Sequence, residues 1–186
     1  RLLLDLCRDL ELACKTELRD HPQLVKVAEK LASLVRDWRV LFSAEPGRGN
    51  WRDLAQQPTM QTALTRVNDA IDMLYQVLKG SLGRSDTVDS VFERLAQLKN
   101  RLLKMQDLQQ TGVSLWYETS RLHVSLHLTP LSIAERFKAI VAAEQRSWIF
   151  TSATLSVNEG FSHYTAQMGL DDAQTLLLES PFDYAS

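Results

Sequence analysis

The sequence predicts an α+β protein: a bundle of four long helices, then a partial α/β domain with parallel strands. Three observations predict it. Apolar residues recur at helical spacing through the first 110 positions, the spacing drops to two after Gly112, and charge changes at the same place. Residues 1–110 carry 17 basic and 15 acidic side chains, whereas residues 111–186 carry 4 and 8. The whole chain of 186 residues has a net charge of −2, with 45% hydrophobic and 24% charged residues. That balance excludes wholesale disorder and a uniformly basic nucleic-acid coat, while leaving room for a local basic groove. Two cysteines exclude a disulfide scaffold and agree with a reducing compartment. No uncharged apolar run approaches the roughly 18 residues that span a bilayer. Leu2, Leu3, Leu4 and Leu6 are interrupted by Asp5, Arg8 and Asp9, unlike a secretory signal. A segment cut from a longer protein is the expectation.

The first helix is predicted over about 2–19, with Leu3, Leu6, Leu10, Cys14 and Leu18 on one face. Asp20-His21-Pro22 stops it, and Pro22 suits the first turn of the next helix. Leu24, Val27, Ala28, Leu31, Leu34, Val35 and Trp38 form the second stripe. Residues 43–50 read as a turn-forming loop. A third helix is predicted from about Thr59 to Lys79, through Met60, Leu64, Val67, Ile71, Leu74 and Leu78. A fourth runs from about Asp86 to Gln109, through Val88, Val91, Leu95, Leu98, Leu102, Met105 and Leu108. Four such helices can bury one shared core.

Beyond Gly112, Val113, Leu115 and Tyr117 alternate as in a strand, and so do Leu122, Val124, Leu126 and Leu128, with a turn at Thr119-Ser120. Thr129 and Pro130 read as the cap and first residue of a helix through Ile133, Phe137, Ile140 and Val141. Residues 148–151 read as a buried strand and 175–179 as another strand, on either side of a helix from about Gly160 to Met168, closed by Gly169. Strand, helix and strand with short links predict a βαβ unit in a parallel sheet.

Several constellations have both a chemical and a plain reading. His123 and His127 would lie about 13 Å apart on a strand, too far for one zinc ion with bonds of about 2 Å. Cys7 and Cys14 share a helix face without a CxxC pair and read as core residues. Gly80-Ser-Leu-Gly-Arg-Ser85 lacks the spacing, the Lys and the strand–helix setting of a P-loop, so it reads as an interhelical turn. Ser152 lacks the G-x-S-x-G setting of a serine nucleophile, with His163 the nearest histidine in sequence. Arg94, Lys99, Arg101 and Lys104 form the densest basic stretch. Arg94, Arg101 and Lys104 cluster beside the apolar stripe, as a solvated face or as a strip that tracks phosphates. Trp38, Trp51 and Tyr75 suit base stacking and core packing equally. Thr151-Ser-Ala-Thr-Leu155 places two small hydroxyls at the carboxyl end of a predicted parallel strand, where open α/β sheets bind ligands.

Phe150-Thr-Ser-Ala-Thr-Leu155 resembles motif III of superfamily 2 helicases. Arg146 to Leu155, Phe161-Ser-His-Tyr164, Met168-Gly-Leu170 and Ser180-Pro-Phe-Asp-Tyr184 together resemble the DinG/YoaA branch of the XPD-like DNA helicases, the YoaA type being the nearer. His127-Leu-Thr-Pro-Leu131, before the helix carrying Phe137, fits the same family. The match covers about 122–184. For 1–110 the support is positional, because a helical Arch lies between motifs II and III in these helicases.

The resemblance implies a helical Arch-like domain over 1–112. It also implies that 113–186 is the C-terminal part of the first RecA-like motor domain, with parallel strands. It implies an ATP-driven DNA helicase moving 5′ to 3′, bacterial and cytoplasmic, that acts in repair or replication. Single-stranded or forked DNA and replication or repair proteins would be its partners, and no membrane is involved. ATP, Mg2+ and a 4Fe–4S cluster are the implied cofactors, the cluster ligands lying outside this sequence. Motif III residues Ser152, Ala153, Thr154 and Leu155 would couple hydrolysis to strand separation. Ser180, Pro181, Phe182 and Asp183 would lead to the second motor domain, and Arg94, Arg101 and Lys104 are the candidate DNA contacts. Walker A, the D-E-A-H box, the cluster cysteines and the arginine-bearing motifs are missing here. Phosphoryl transfer needs a phosphate cradle, a metal-binding acid and charge stabilisation in one site, so this stretch alone is expected to hydrolyse no ATP. A helical protein-interaction module without enzymatic role is the competing expectation.

Overall fold

Each long apolar stripe becomes the buried face of one helix. The computed structural model describes residues 2–17, 21–143, 146–152, 154–157, 160–170 and 172–178. Helices α1 (Leu2–Thr16), α2 (Pro22–Val40), α4 (Pro58–Lys79) and α5 (Asp86–Gln106) form the bundle, with the short α3 (Trp51–Ala55) between α2 and α4. α1 packs on α2 and α5, and α4 packs on the same two, so the four close around one core. Leu6, Leu10, Leu24, Leu31, Leu74 and Leu95 lie at its centre, all fully buried. Burying each such side chain contributes about 1.5–3 kcal/mol. Leu18 lies outside the described residues.

The helix ends follow local chemistry. Pro22 stands in the first turn of α2, where its missing N–H costs nothing. Ser85 caps α5 by accepting from the Val88 N–H at 3.3 Å, and Asp86 and Asp89 favour the positive end of the helix dipole. α5 ends at Gln106, three residues before its expected end. Asp107 Oδ1 accepts from the Gln109 N–H at 3.3 Å, and Arg52 takes the carbonyls of Leu108 and Gln110, so the chain turns away.

A three-stranded antiparallel sheet of β1 (Gly47–Asn50), β2 (Val113–Thr119) and β3 (Val124–Pro130) packs on the bundle in that spatial order. The stretch read as a loop over 43–50 thus supplies an edge strand. Its register pairs Gly47 with Thr119 and Asn50 with Trp116. Gly49 lets β1 pass close under Tyr117, because a Cβ there would meet the Tyr117 ring unless that ring shifted. The β2–β3 turn runs through Ser120 to His123, where the Ser120 N–H donates to the His123 carbonyl at 2.8 Å. Thr129 and Pro130 belong to β3, correcting the expected helix start. Thr129 Oγ1 accepts from Trp116 Nε1 at 3.0 Å, and an edge strand tolerates proline at its end. The helix α6 (Ala134–Ala143) begins later, where Ser132 Oγ accepts from the Ala134 N–H at 3.3 Å.

The chain divides into two compact units, Arg1–Thr129 and Pro130–Ser186. The change of period at 112 falls inside the first, because Leu115 on β2 is buried in the helical core. The second unit holds α6 and α7 (Ser162–Met168). Gly169 closes α7 in the left-handed region at φ 65°, as expected from sequence. Phe137, Trp148, Phe150 and Tyr164 cluster with ring centroids 5.8–6.5 Å apart.

The parallel sheet expected here is not formed among the described residues. Residues 148–151 and 175–178 form no regular secondary structure, and Ile149, Leu176 and Leu178 are 84%, 76% and 76% exposed. A parallel strand is stable only with hydrogen-bonded neighbours and both faces covered, and the described residues supply neither. Glu179, the end of the second run, lies outside the described residues.

Candidate functional site

The hydroxyl pair of the 151–155 segment forms a local turn. Ser152 Oγ and Thr154 Oγ1 are 3.1 Å apart, and the Thr154 N–H donates to Ser152 Oγ at 3.2 Å. Serine favours such turns because its hydroxyl can replace a backbone acceptor. Both residues are exposed, Leu155 is half-buried, and Ala153 lies outside the described residues. Phe150, in the aromatic cluster, anchors the segment from its N-terminal side. The setting at the end of a buried parallel strand is therefore corrected: the hydroxyls stand on an exposed turn. Ser180, Pro181, Phe182 and Asp183 also lie outside the described residues.

The basic residues of α5 have unequal roles. Arg94 Nη1 donates to Asp9 Oδ2 at 2.7 Å and ties α5 to α1. Lys99 Nζ lies 2.6 Å from Asp72 Oδ1 and 5.4 Å from the centroid of Tyr75. Arg101 and Lys104 are exposed. Trp51 is fully buried, and Trp38 packs edge-on against it at 6.5 Å, so core packing accounts for both. Tyr75 lies against Phe92 with centroids 4.7 Å apart.

Cys7 and Cys14 are buried in the bundle. Burial, aided by Glu11, pushes the Cys7 thiol up to about 11, and burial raises Cys14 as well. They are the two cysteines of this sequence, and a 4Fe–4S cluster takes four. Among the described residues no three His, Cys, Asp or Glu side chains converge on a point that could hold a metal ion. No helix among them is long and apolar enough to cross a membrane. Residues 80–85 form the turn between α4 and α5, not a phosphate cradle.

One arrangement escaped sequence reading. On the sheet face turned away from the core, Arg48, Trp116 and His127 form a row across β1, β2 and β3. Trp116 and His127 stack with centroids 3.9 Å apart at 11°, and the Arg48 guanidinium lies 5.2 Å from the Trp116 ring centroid. Glu118 Oε1 accepts from Arg48 Nε at 3.0 Å, while Glu118 Oε2 lies 3.9 Å from His127 Nε2. Alternation places Trp116 and His127 on outward faces, but only the strand register makes them neighbours.

No family model matches the chain, and no solved structure matches it. Known protein sequences do: the chain is homologous along its length to a segment of ATP-dependent DNA helicases. In particular, it is 46% identical over 186 residues to ATP-dependent DNA helicase YoaA of Escherichia coli (strain K12), covering 100% of this chain and 29% of that protein. It is 40% identical over 185 residues to ATP-dependent DNA helicase YoaA of Haemophilus influenzae (strain ATCC 51907 / DSM 11121 / KW20 / Rd), covering 99% and 29%. The chain thus spans under a third of the length of these relatives. The expectation of a YoaA-type segment is met.

Proposed function

We propose that this chain is the part of a 5′–3′ DNA helicase that carries the motif III turn and an Arch-like helical domain. The observation that carries the reading is identity of 46% over all 186 residues to a protein named as an ATP-dependent DNA helicase. Residues 1–112 are the Arch-like domain and guide single-stranded DNA. Residues 113–186 belong to the first RecA-like motor domain, whose remaining strands would cover Ile149, Leu176 and Leu178. Ser152, Ala153, Thr154 and Leu155 link hydrolysis to strand separation, since small hydroxyls exchange hydrogen-bond partners at low steric cost. Ser180, Pro181, Phe182 and Asp183 lead toward the second motor domain.

ATP and Mg2+ would supply the driving reaction in the whole protein. A 4Fe–4S cluster would take its ligands elsewhere, because Cys7 and Cys14 do not fit one. Bacterial cytoplasm, repair or replication, forked DNA and replication or repair proteins complete the reading. The test is Thr154→Ala in the full-length protein. Retained DNA-stimulated phosphate release with lost unwinding is expected, and unchanged unwinding overturns the coupling role.

A second reading, a protein-interaction module, is favoured by a groove of about 390 Å3 between α2 and α4, lined by Leu34, Trp38, Leu41 and Ala63 with Asp37 and Arg66 also in its wall. Binding that is insensitive to salt would favour this groove, whereas phosphate contacts weaken steeply as salt rises.

A further inference from the structure

We infer that the Arg48–Trp116–His127 row is a contact for single-stranded nucleic acid, with Trp116 stacking on one base and Arg48 taking the adjacent phosphate. The inference rests on the helicase reading above and names a contact surface that the reading lacks. The sheet turns Leu115, Tyr117, Val124, Leu126 and Leu128 toward the helical core. The alternate positions are left to the opposite face, and the only aromatic rings among them are Trp116 and His127. Trp116 is fixed in orientation at both ends: its Nε1 donates to Thr129 at 3.0 Å, and one ring face is covered by His127 at 3.9 Å. The Arg48 guanidinium lies 5.2 Å from the centroid of the half-buried Trp116 ring, and the Arg48 side chain is 70% exposed. Base–aromatic stacking tolerates any sequence because every base has a π-face, and arginine supplies the accompanying phosphate contact.

The exchange is balanced within the row. An exposed ion pair such as Arg48–Glu118 contributes little, so a base can displace the guanidinium from the indole at small cost. Glu118, released from Arg48, then closes its 3.9 Å gap to His127 Nε2, which is covered from solvent and has no hydrogen-bond partner. The carboxylate thus keeps a cationic or donor partner in both arrangements and does not face the phosphate unscreened.

The test uses the full-length protein and fluorescently labelled oligo(dT), read by anisotropy across a salt series. Trp116→Leu keeps apolar bulk but removes the π-face, and should raise Kd about tenfold. Trp116→Phe should restore binding to within about twofold of wild type. Arg48→Gln should flatten the salt slope by about 0.7. Equal losses in the Leu and Phe variants together with a lowered thermal midpoint would mean a role in sheet stability alone, and overturn the proposal. Wild-type affinity in Trp116→Leu overturns it too, leaving the face to a protein partner. If wild-type protein itself fails to bind oligo(dT), the helicase reading falls, and this inference with it.

Discussion

The Trp51 indole N–H donates to the carbonyl oxygen of Met105 at 2.7 Å, across 54 residues of sequence. The bond is buried and closes the end of α5 onto α3. Phe42 stacks near-parallel to Trp51, with centroids 6.0 Å apart at 7°. Trp51→Phe keeps most of the apolar volume but leaves the Met105 carbonyl without this buried donor. A loss of about 1–3 kcal/mol is expected, read from the midpoint of urea unfolding. An unchanged midpoint would mean that another donor replaces the indole.

Arg52 is the hinge pin of the link from α5 to β2. Its guanidinium donates to the carbonyls of Leu108, Gln110 and Val113 at 3.0, 2.7 and 3.2 Å. Arg52→Lys retains the charge but loses the planar fork that reaches three acceptors. Faster hydrogen exchange over 107–114 is expected, with α2 and α4 unaffected. Uniform exchange across the whole bundle would count against a local role.

Gly169 shows where backbone conformation alone dictates the residue. Its φ is 65°, and a Cβ would come 2.7 Å from the Ala134 carbonyl oxygen. Gly169→Ala should therefore destabilise the packing of α7 on α6 by about 1–3 kcal/mol. Protection of the Thr165 and Leu170 amides in hydrogen exchange is the measurement.

The Cys7 thiol carries a pH signature. Its folded pKa is raised to about 11 from an ordinary 9.0, chiefly because burial disfavours the thiolate. Protonation therefore favours the folded state. That contribution is complete below about pH 9 and is lost as pH rises toward 11. Cys7→Ala should flatten the stability profile in that window. A profile as steep as that of the wild type would assign the slope to other groups.

Arg101 and Lys104 are exposed, whereas Arg94 already holds Asp9. Replacing all three with Gln should flatten the salt dependence of single-strand binding by up to about 2 in slope. Arg94→Gln alone should lower stability by less than about 1 kcal/mol, as for other exposed ion pairs. An unchanged slope in the triple variant would remove α5 from the path of the strand.

The helical half of the protein was legible because a 3.6-residue period repeats over about four to six turns in each long helix. Leu64, Ile71 and Leu78 mark one buried line wherever the helix is placed. Gly47–Asn50 was not legible as a strand, because its partner lies about 70 residues away and four residues including two glycines carry no period of their own. The resemblance of 150–155 to motif III rested on residue identity, which carried no information about its surroundings.

Amino-acid order by itself determined the four amphipathic stripes, the start of the second helix at Pro22, the glycine stop after Met168 and the kinship with helicases. These depend on residues within a few positions of one another, or on identity alone. Tertiary structure alone decided the β1–β2 register, the early end of α5 under Arg52 and the row from Arg48 to His127. Each of these depends on whether a distant backbone or side chain arrives to complete a hydrogen bond or cover a face, and local periodicity carries no record of that.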